Sequence, residues 1–259
     1  MATYNKRGYK APKPAEVNEV EPVEEVIDDN NSTTAEVFNS LDEGASKTEE
    51  WVAGNQKIIY IIVAVVALAT VGYLAYNKWV DAPAEETASN DMFQAQQYFN
   101  EAVDATEKQD SLFNLALKGG EGKQGLLDIV ENHKGTDAAN LAHYYAGMAY
   151  LNTGKYKEAV THLEEFKTDD EVLKAVTLGA IGDAFAQLKQ NDDALEYYDK
   201  AVKAADNDLT APRYLFKAAQ LSLAMNKKDQ ALKNFTEIKE KYETSAEGAN
   251  IDAYIARTE

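Results

Sequence analysis

The chain has 259 residues, and 26 Lys plus Arg stand against 44 Asp plus Glu, a formal charge of -18. A protein held by phosphate contacts needs a basic face, so this balance argues against a nucleic-acid ligand. Cysteine is absent, which removes disulfides, thiolate metal sites, iron–sulfur clusters and cysteine nucleophiles but leaves the redox compartment open. Mean hydropathy is -0.47, an average that conceals one apolar run.

Residues 1–50 read as a disordered acidic tail. They hold Pro12, Pro14 and Pro22 and few large apolar side chains, too little surface to offset chain entropy. Residues 1–14 carry four basic and no acidic residues, whereas 15–57 carry two basic and twelve acidic. The basic head, with Tyr4 and Tyr9, has the chemistry to touch anionic lipid or ribosomal RNA. A solvated tail explains it more simply. Residues 35–57 read as a partly amphipathic helix leading into the apolar run.

That run is Ile58–Tyr76, 19 residues without charge, Asn, Gln or Pro. As a helix it spans roughly 28 Å, about one hydrocarbon core. A soluble core helix of this length would carry a polar face. A signal peptide has a shorter apolar region and a small-x-small cleavage site after it. Residues 51–80 are therefore expected as a transmembrane helix with interfacial flanks, and Trp51, Lys57, Tyr76, Lys78 and Trp79 are its interface residues. Six Lys or Arg lie in residues 1–57, and only Lys78 lies in the twenty residues after the run. This bias predicts a cytoplasmic N-terminus and a translocated C-terminal part. In a bacterium that is the inner membrane, with the domain in the periplasm.

Residues 81–90, DAPAEETASN, read as a polar linker. From 91 to 259 the helical period dominates: Met92, Ala95, Phe99, Ala102 and Val103 recur at three- and four-residue steps. Gly119–Gly125 reads as a break and 91–137 as irregular helices. No alternating strand pattern appears, so the fold class is all-α.

A repeat follows. Gly147, Tyr150, Ala159 and Leu163 form one set; Gly182, Phe185, Ala194, Tyr198 and Ala201 the next; Ala219, Ala231 and Phe235 a third. The marker alanines are 35 and 37 residues apart. The pattern resembles the tetratricopeptide repeat, a helix–turn–helix unit of about 34 residues. Units are expected at about 140–170, 175–206 and 212–243, with a capping helix at 244–257. The family's early Trp is replaced by His143, Leu178 and Leu215, its closing Pro is missing, and Ser222 stands where an aromatic is usual. Small residues let paired helices approach, and stacked pairs bury a stripe that one pair cannot.

No catalytic constellation assembles. KGGEGKQG at 118–125 lacks the spacing and the Ser or Thr of a phosphate loop. His143 is expected at a packing position, and His133 and His162 at the surface, with no metal-ligand spacing among them. Carboxylates stand four residues from lysines, as in Glu196/Lys200 and Glu237/Lys241, an arrangement of solvated helices. No cofactor, metal or enzymatic activity is expected.

In the repeat family the first helix of each pair lines a groove. The resemblance places Leu141, Tyr144, Met148, Leu151 and Asn152 there from the first unit, Val176, Gly179, Asp183, Ala186 and Gln187 from the second, and Arg213, Phe216, Gln220, Leu223 and Ala224 from the third, an apolar and aromatic surface with a few polar groups. The carboxylate clamp of some chaperone-binding members is absent, since its positions hold Tyr144/Met148, Gly179/Asp183 and Phe216/Gln220. The approach to the apolar run, EEWVAGNQKIIYIIVAVV at 49–66, resembles YfgM-type ancillary subunits of the bacterial Sec translocon through Trp51, Ala53, Asn55 and Lys57. That resemblance implies a membrane-anchored periplasmic binding module. Its implied partners are SecYEG, a membrane-anchored periplasmic peptidyl-prolyl isomerase, and emerging unfolded polypeptides. A structural scaffold of another envelope machine is the alternative.

Overall fold

The computed structural model describes residues 33–259; the expectations for residues 1–32 lie outside the described residues. The described chain is all-helical, one long apolar N-terminal helix followed by helical repeats. Two compact units meet between Ala69 and Thr70.

Helix α1 runs Thr33–Tyr76. Residues 33–50, counted with the disordered tail, are thus helical, in line with the helix expected over 35–57. None of the residues from 58 to 76 is buried, and Leu68 and Tyr73 are 72% and 67% exposed. By length and composition this helix can cross a membrane. Within the described chain no protein covers its apolar side chains.

The second unit contains the end of α1, a π-helical segment Asn77–Asp81, and α2, Ala82–Asp104. The linker expected at 81–90 is therefore helical. Its composition misled because the apolar stripe begins on an alanine: Ala88 and Met92 are buried and continue into Ala95, Phe99 and Ala102. Pro83 sits in the first turn of α2, where a missing N–H costs least. Glu85 then reaches across the fold. Its two carboxylate oxygens accept the backbone N–H groups of Asp137 and Ala138 at 2.7 and 2.8 Å, where the helix dipole favours an anion.

Helices α3 (Gln109–Lys118) and α4 (Leu126–Asn132) fold against α2. Three helical pairs follow: α5 (Asp137–Asn152) with α6 (Tyr156–Glu165), α7 (Glu171–Gln187) with α8 (Asn191–Ala204), and α9 (Ala211–Ala224) with α10 (Lys228–Lys241). Thr136 caps α5 through the Ala139 N–H and Asp170 caps α7 through the Leu173 N–H. A left-handed residue closes each intra-pair turn: Gly154, Lys189 and Asn226, with φ of 76°, 64° and 60°.

The pairs approach where the small residues stand. A Cβ on Gly147 would lie 2.5 Å from Leu163 Cγ, and one on Gly182 would lie 2.7 Å from the Tyr198 ring. The core is serial. One cluster joins α2 to α5 around Phe99, Phe113 and Leu117; a second joins α7, α8 and α9 around Tyr198 and Tyr214; a third joins α9 and α10 to the last helix around Phe235 and Ile238. Each pair thus buries its stripe against the next.

The capping helix is shorter than the expected 244–257. Ser245 bonds the Tyr242 carbonyl and the Gly248 N–H in a turn. A 3-10 turn at Gly248–Asn250 follows, and only then α11, Ile251–Thr258. Gly248 lies so close to the backbone of Tyr242 and Glu243 that any Cβ would clash.

Candidate partner-binding groove

The first helices of two pairs, α5 and α7, bring Leu151, Asp183, Ala186 and Gln187 to one open pocket of about 370 Å³. Tyr156, Tyr198 and Lys217 complete its wall. The pocket is polar at its centre. The Lys217 ammonium donates to both Asp183 oxygens at 2.8 and 2.6 Å. The Tyr198 hydroxyl donates to the same carboxylate at 2.8 Å. Burial, and after it the Asp183 charge, push the Tyr198 hydroxyl well above the usual phenol range. The same causes push Tyr214 up to about 12. Both phenols therefore stay protonated, and that of Tyr198 donates to Asp183. Asp183 is a charge already neutralised by Lys217 and held by a neutral donor, charge-assisted contacts that tie α7 to α8 and α9.

The other expected groove residues are placed differently. Tyr144 is half-buried, its ring 5.2 Å from that of Phe166 and 5.6 Å from that of Tyr145. Met148 is half-buried between two core clusters. Phe216 packs edge-on against Tyr254 of α11 at 4.8 Å and near Phe235 at 5.8 Å. Gly179 is buried beneath Tyr214. Arg213 and Gln220 are exposed. The surface expected to be apolar and aromatic is thus polar at its middle, because its aromatic residues are taken up in helix-to-helix packing. Lys217 was not among the expected residues. It sits one position past Phe216, and only the stacking of α9 on α7 turns it toward Asp183.

Two of the three histidines, His133 and His162, depart from expectation, whereas His143 packs within the first repeat. His133 is half-buried, with Nε2 3.0 Å from the Asp91 carboxylate, tying α4 to α2. His162 is half-buried too, its Nδ1 3.2 Å from Nδ1 of His143. Burial lowers the pKa of both rings, and for His162 the neighbouring His143 lowers it further. Among the described residues no three His, Asp or Glu side chains group as metal ligands. The expected surface pairs form, Lys200–Glu196 at 2.7 Å and Lys241–Glu237 at 2.8 Å.

The three helical pairs match known family models. Residues 175–208 match one tetratricopeptide-repeat model, and residues 141–170 and 213–245 match another. No curated protein matches the chain. These segments are tetratricopeptide repeats, and such repeats mark a module for protein–protein interaction. Its partners are accordingly proteins, and repeats of this kind are typically binding modules rather than enzymes.

Proposed function

We propose that this protein is a membrane-anchored, periplasmic tetratricopeptide-repeat module of the bacterial inner membrane that serves the Sec translocon. In this reading α1 spans the bilayer with its N-terminus in the cytoplasm. Trp51, Lys57, Tyr76, Lys78 and Trp79 lie at the interfaces. The repeat domain works beside a membrane-anchored peptidyl-prolyl isomerase and handles chains as they emerge, without catalysis of its own. The observation that carries it is the pairing of one exposed apolar helix with tetratricopeptide repeats in the same chain. Anchoring raises the effective concentration of a groove beside its target, so weak contacts suffice.

The groove centred on Asp183 and Lys217, with Gln187, Arg213 and Gln220 nearby, is the contact surface in this reading. Tyr144, Met148 and Phe216 pack between neighbouring helices and are not part of that surface. The test is recovery of the native complex in mild detergent through a C-terminal tag. SecYEG components and an isomerase are expected in the eluate, and Gln187→Glu with Lys217→Glu is expected to lose them while helicity is kept. Stoichiometric recovery of a different envelope assembly, with no SecYEG component, would overturn the translocon reading in favour of a scaffold. Unchanged recovery by the double variant would overturn the groove.

A further inference from the structure

His143 of α5 and His162 of α6 meet across the first repeat, both half-buried. Their Nδ1 atoms are 3.2 Å apart and their ring centroids 5.2 Å apart. A tetrahedral ion held at about 2.0–2.1 Å by two imidazole nitrogens keeps those nitrogens about 3.3 Å apart and the ring centroids about 5.2 Å apart. An end-on N–H···N hydrogen bond of the observed length would put the centroids about 5.5 Å apart. The pair therefore has both separations of a chelate. Its protonation suits one as well. Burial lowers the pKa of both rings, so near neutral pH each is uncharged and carries a lone pair. Moving the shared proton from one Nδ1 to the Nε2 of the same ring leaves a lone pair on each Nδ1, with no proton lost. Among the described residues neither ring makes another hydrogen bond, so nothing holds either tautomer. Glu165 is exposed, one turn past His162, and its charge favours a cation at both rings.

We propose that His143 and His162 form a two-nitrogen chelate for a borderline divalent cation, zinc above all, in the seam between α5 and α6. Among the described residues no third His, Asp or Glu completes the set, so water fills the remaining positions on the solvent side. Imidazole nitrogens suit zinc, nickel and copper, whereas magnesium and calcium take oxygen ligands. The two histidines are 19 residues apart, outside any local ligand spacing, and only the pairing of α5 with α6 joins them. An ion held there ties the two helices of one repeat together and stabilises the native chain by mass action. His133 takes no part, since its Nε2 is held by the Asp91 carboxylate 3.0 Å away. The site is independent of the translocon reading, because it needs only the fold of the first repeat.

The test uses the full chain in mild detergent, without a polyhistidine tag. It is titrated calorimetrically with zinc chloride in excess magnesium, which occupies exposed carboxylates. One zinc per chain is expected, together with a rise in the unfolding midpoint. His143→Gln and His162→Gln, each alone, are expected to weaken binding by more than about tenfold and to cancel that rise. His133→Gln is expected to leave the zinc affinity unchanged. Circular dichroism of the zinc-free variants checks that their helices are kept. X-ray absorption of the zinc-loaded natural chain reads the ligands without any variant, and two imidazoles at about 2.0–2.1 Å are expected. The proposal is overturned by absence of saturable zinc binding, or by a spectrum with one imidazole or none. It is equally overturned if either variant binds like the natural chain, or if His133→Gln alone abolishes binding, which would place the ion between α2 and α4.

Discussion

The ring of Tyr214 lies against the backbone of Gly179, so near that a Cβ at 179 would stand 1.9 Å from Cε1. This contact joins α7 to α9, the first helices of successive repeats, and it sets their separation. Gly179→Ala forces the ring or the helix to shift and is expected to destabilise the domain by about 1–3 kcal/mol. Thermal or urea unfolding checks this. An unchanged midpoint would mean that α9 slides on α7 at no cost. Tyr214→Ala in the same background should lessen the added penalty of Gly179→Ala, since it removes the clashing ring.

Ser222 stands where the repeat usually carries an aromatic residue. Its hydroxyl is fully buried and has no hydrogen-bond partner among the described residues. Ser222→Ala removes an unsatisfied polar group of nearly the same size and is expected to stabilise by about 1 kcal/mol. A loss of stability would reveal a bond to the hydroxyl, such as one from buried water.

Lys189 holds a φ of 64° in the turn between α7 and α8, where the first repeat has Gly154. A left-handed L-residue costs roughly 1–2 kcal/mol relative to glycine's freedom. Lys189→Gly is therefore expected to raise the unfolding midpoint. Asn226→Gly, at the corresponding turn, should gain less, because Asn tolerates this region better. Equal gains would contradict that ordering.

Acid should loosen the first repeat. His143 and His162 face each other at 3.2 Å, and burial lowers both pKa values below the ordinary 6.5, with Glu165 partly opposing. A group whose folded-state pKa is depressed this way takes up protons in the unfolded chain first. The stability it contributes is therefore present above pH 6.5 and falls as the pH drops through that value and on toward the folded pKa. Unfolding titrations between pH 7.5 and 5 are expected to show this slope, and His143→Gln to reduce it. An identical slope in the variant would place the proton uptake elsewhere.

Several elements were legible in the residue order. The apolar stretch at 58–76 shows a hydropathy that needs no tertiary context. Gly147, Gly182 and the alanines at 159, 194 and 231 recur at intervals only a stacked pair requires, and Leu163 and Tyr198 do press on the two glycines. The helix through 81–90 was hidden because Ala88 contributes little to an apolar count yet packs fully. The short α11 was hidden because the turn at Ser245 depends on the backbone approach of Gly248 to Tyr242.

The groove was harder. Leu151, Asp183, Ala186 and Gln187 share a pocket, but Tyr144, Met148 and Phe216 serve the packing of neighbouring helices. Lys217 carried no signal that would pair it with a carboxylate 34 residues earlier.

The sequence by itself determined that this chain has one helix fit for a membrane followed by stacked helical repeats, because hydropathy and spacing act within a helix or from one repeat to the next. Only the tertiary structure decided which faces remain open. Whether an aromatic at a groove position points to a partner or into the next helix depends on how closely two helices approach. A glycine at 179 and a tyrosine at 214 set that approach together, and neither does so alone.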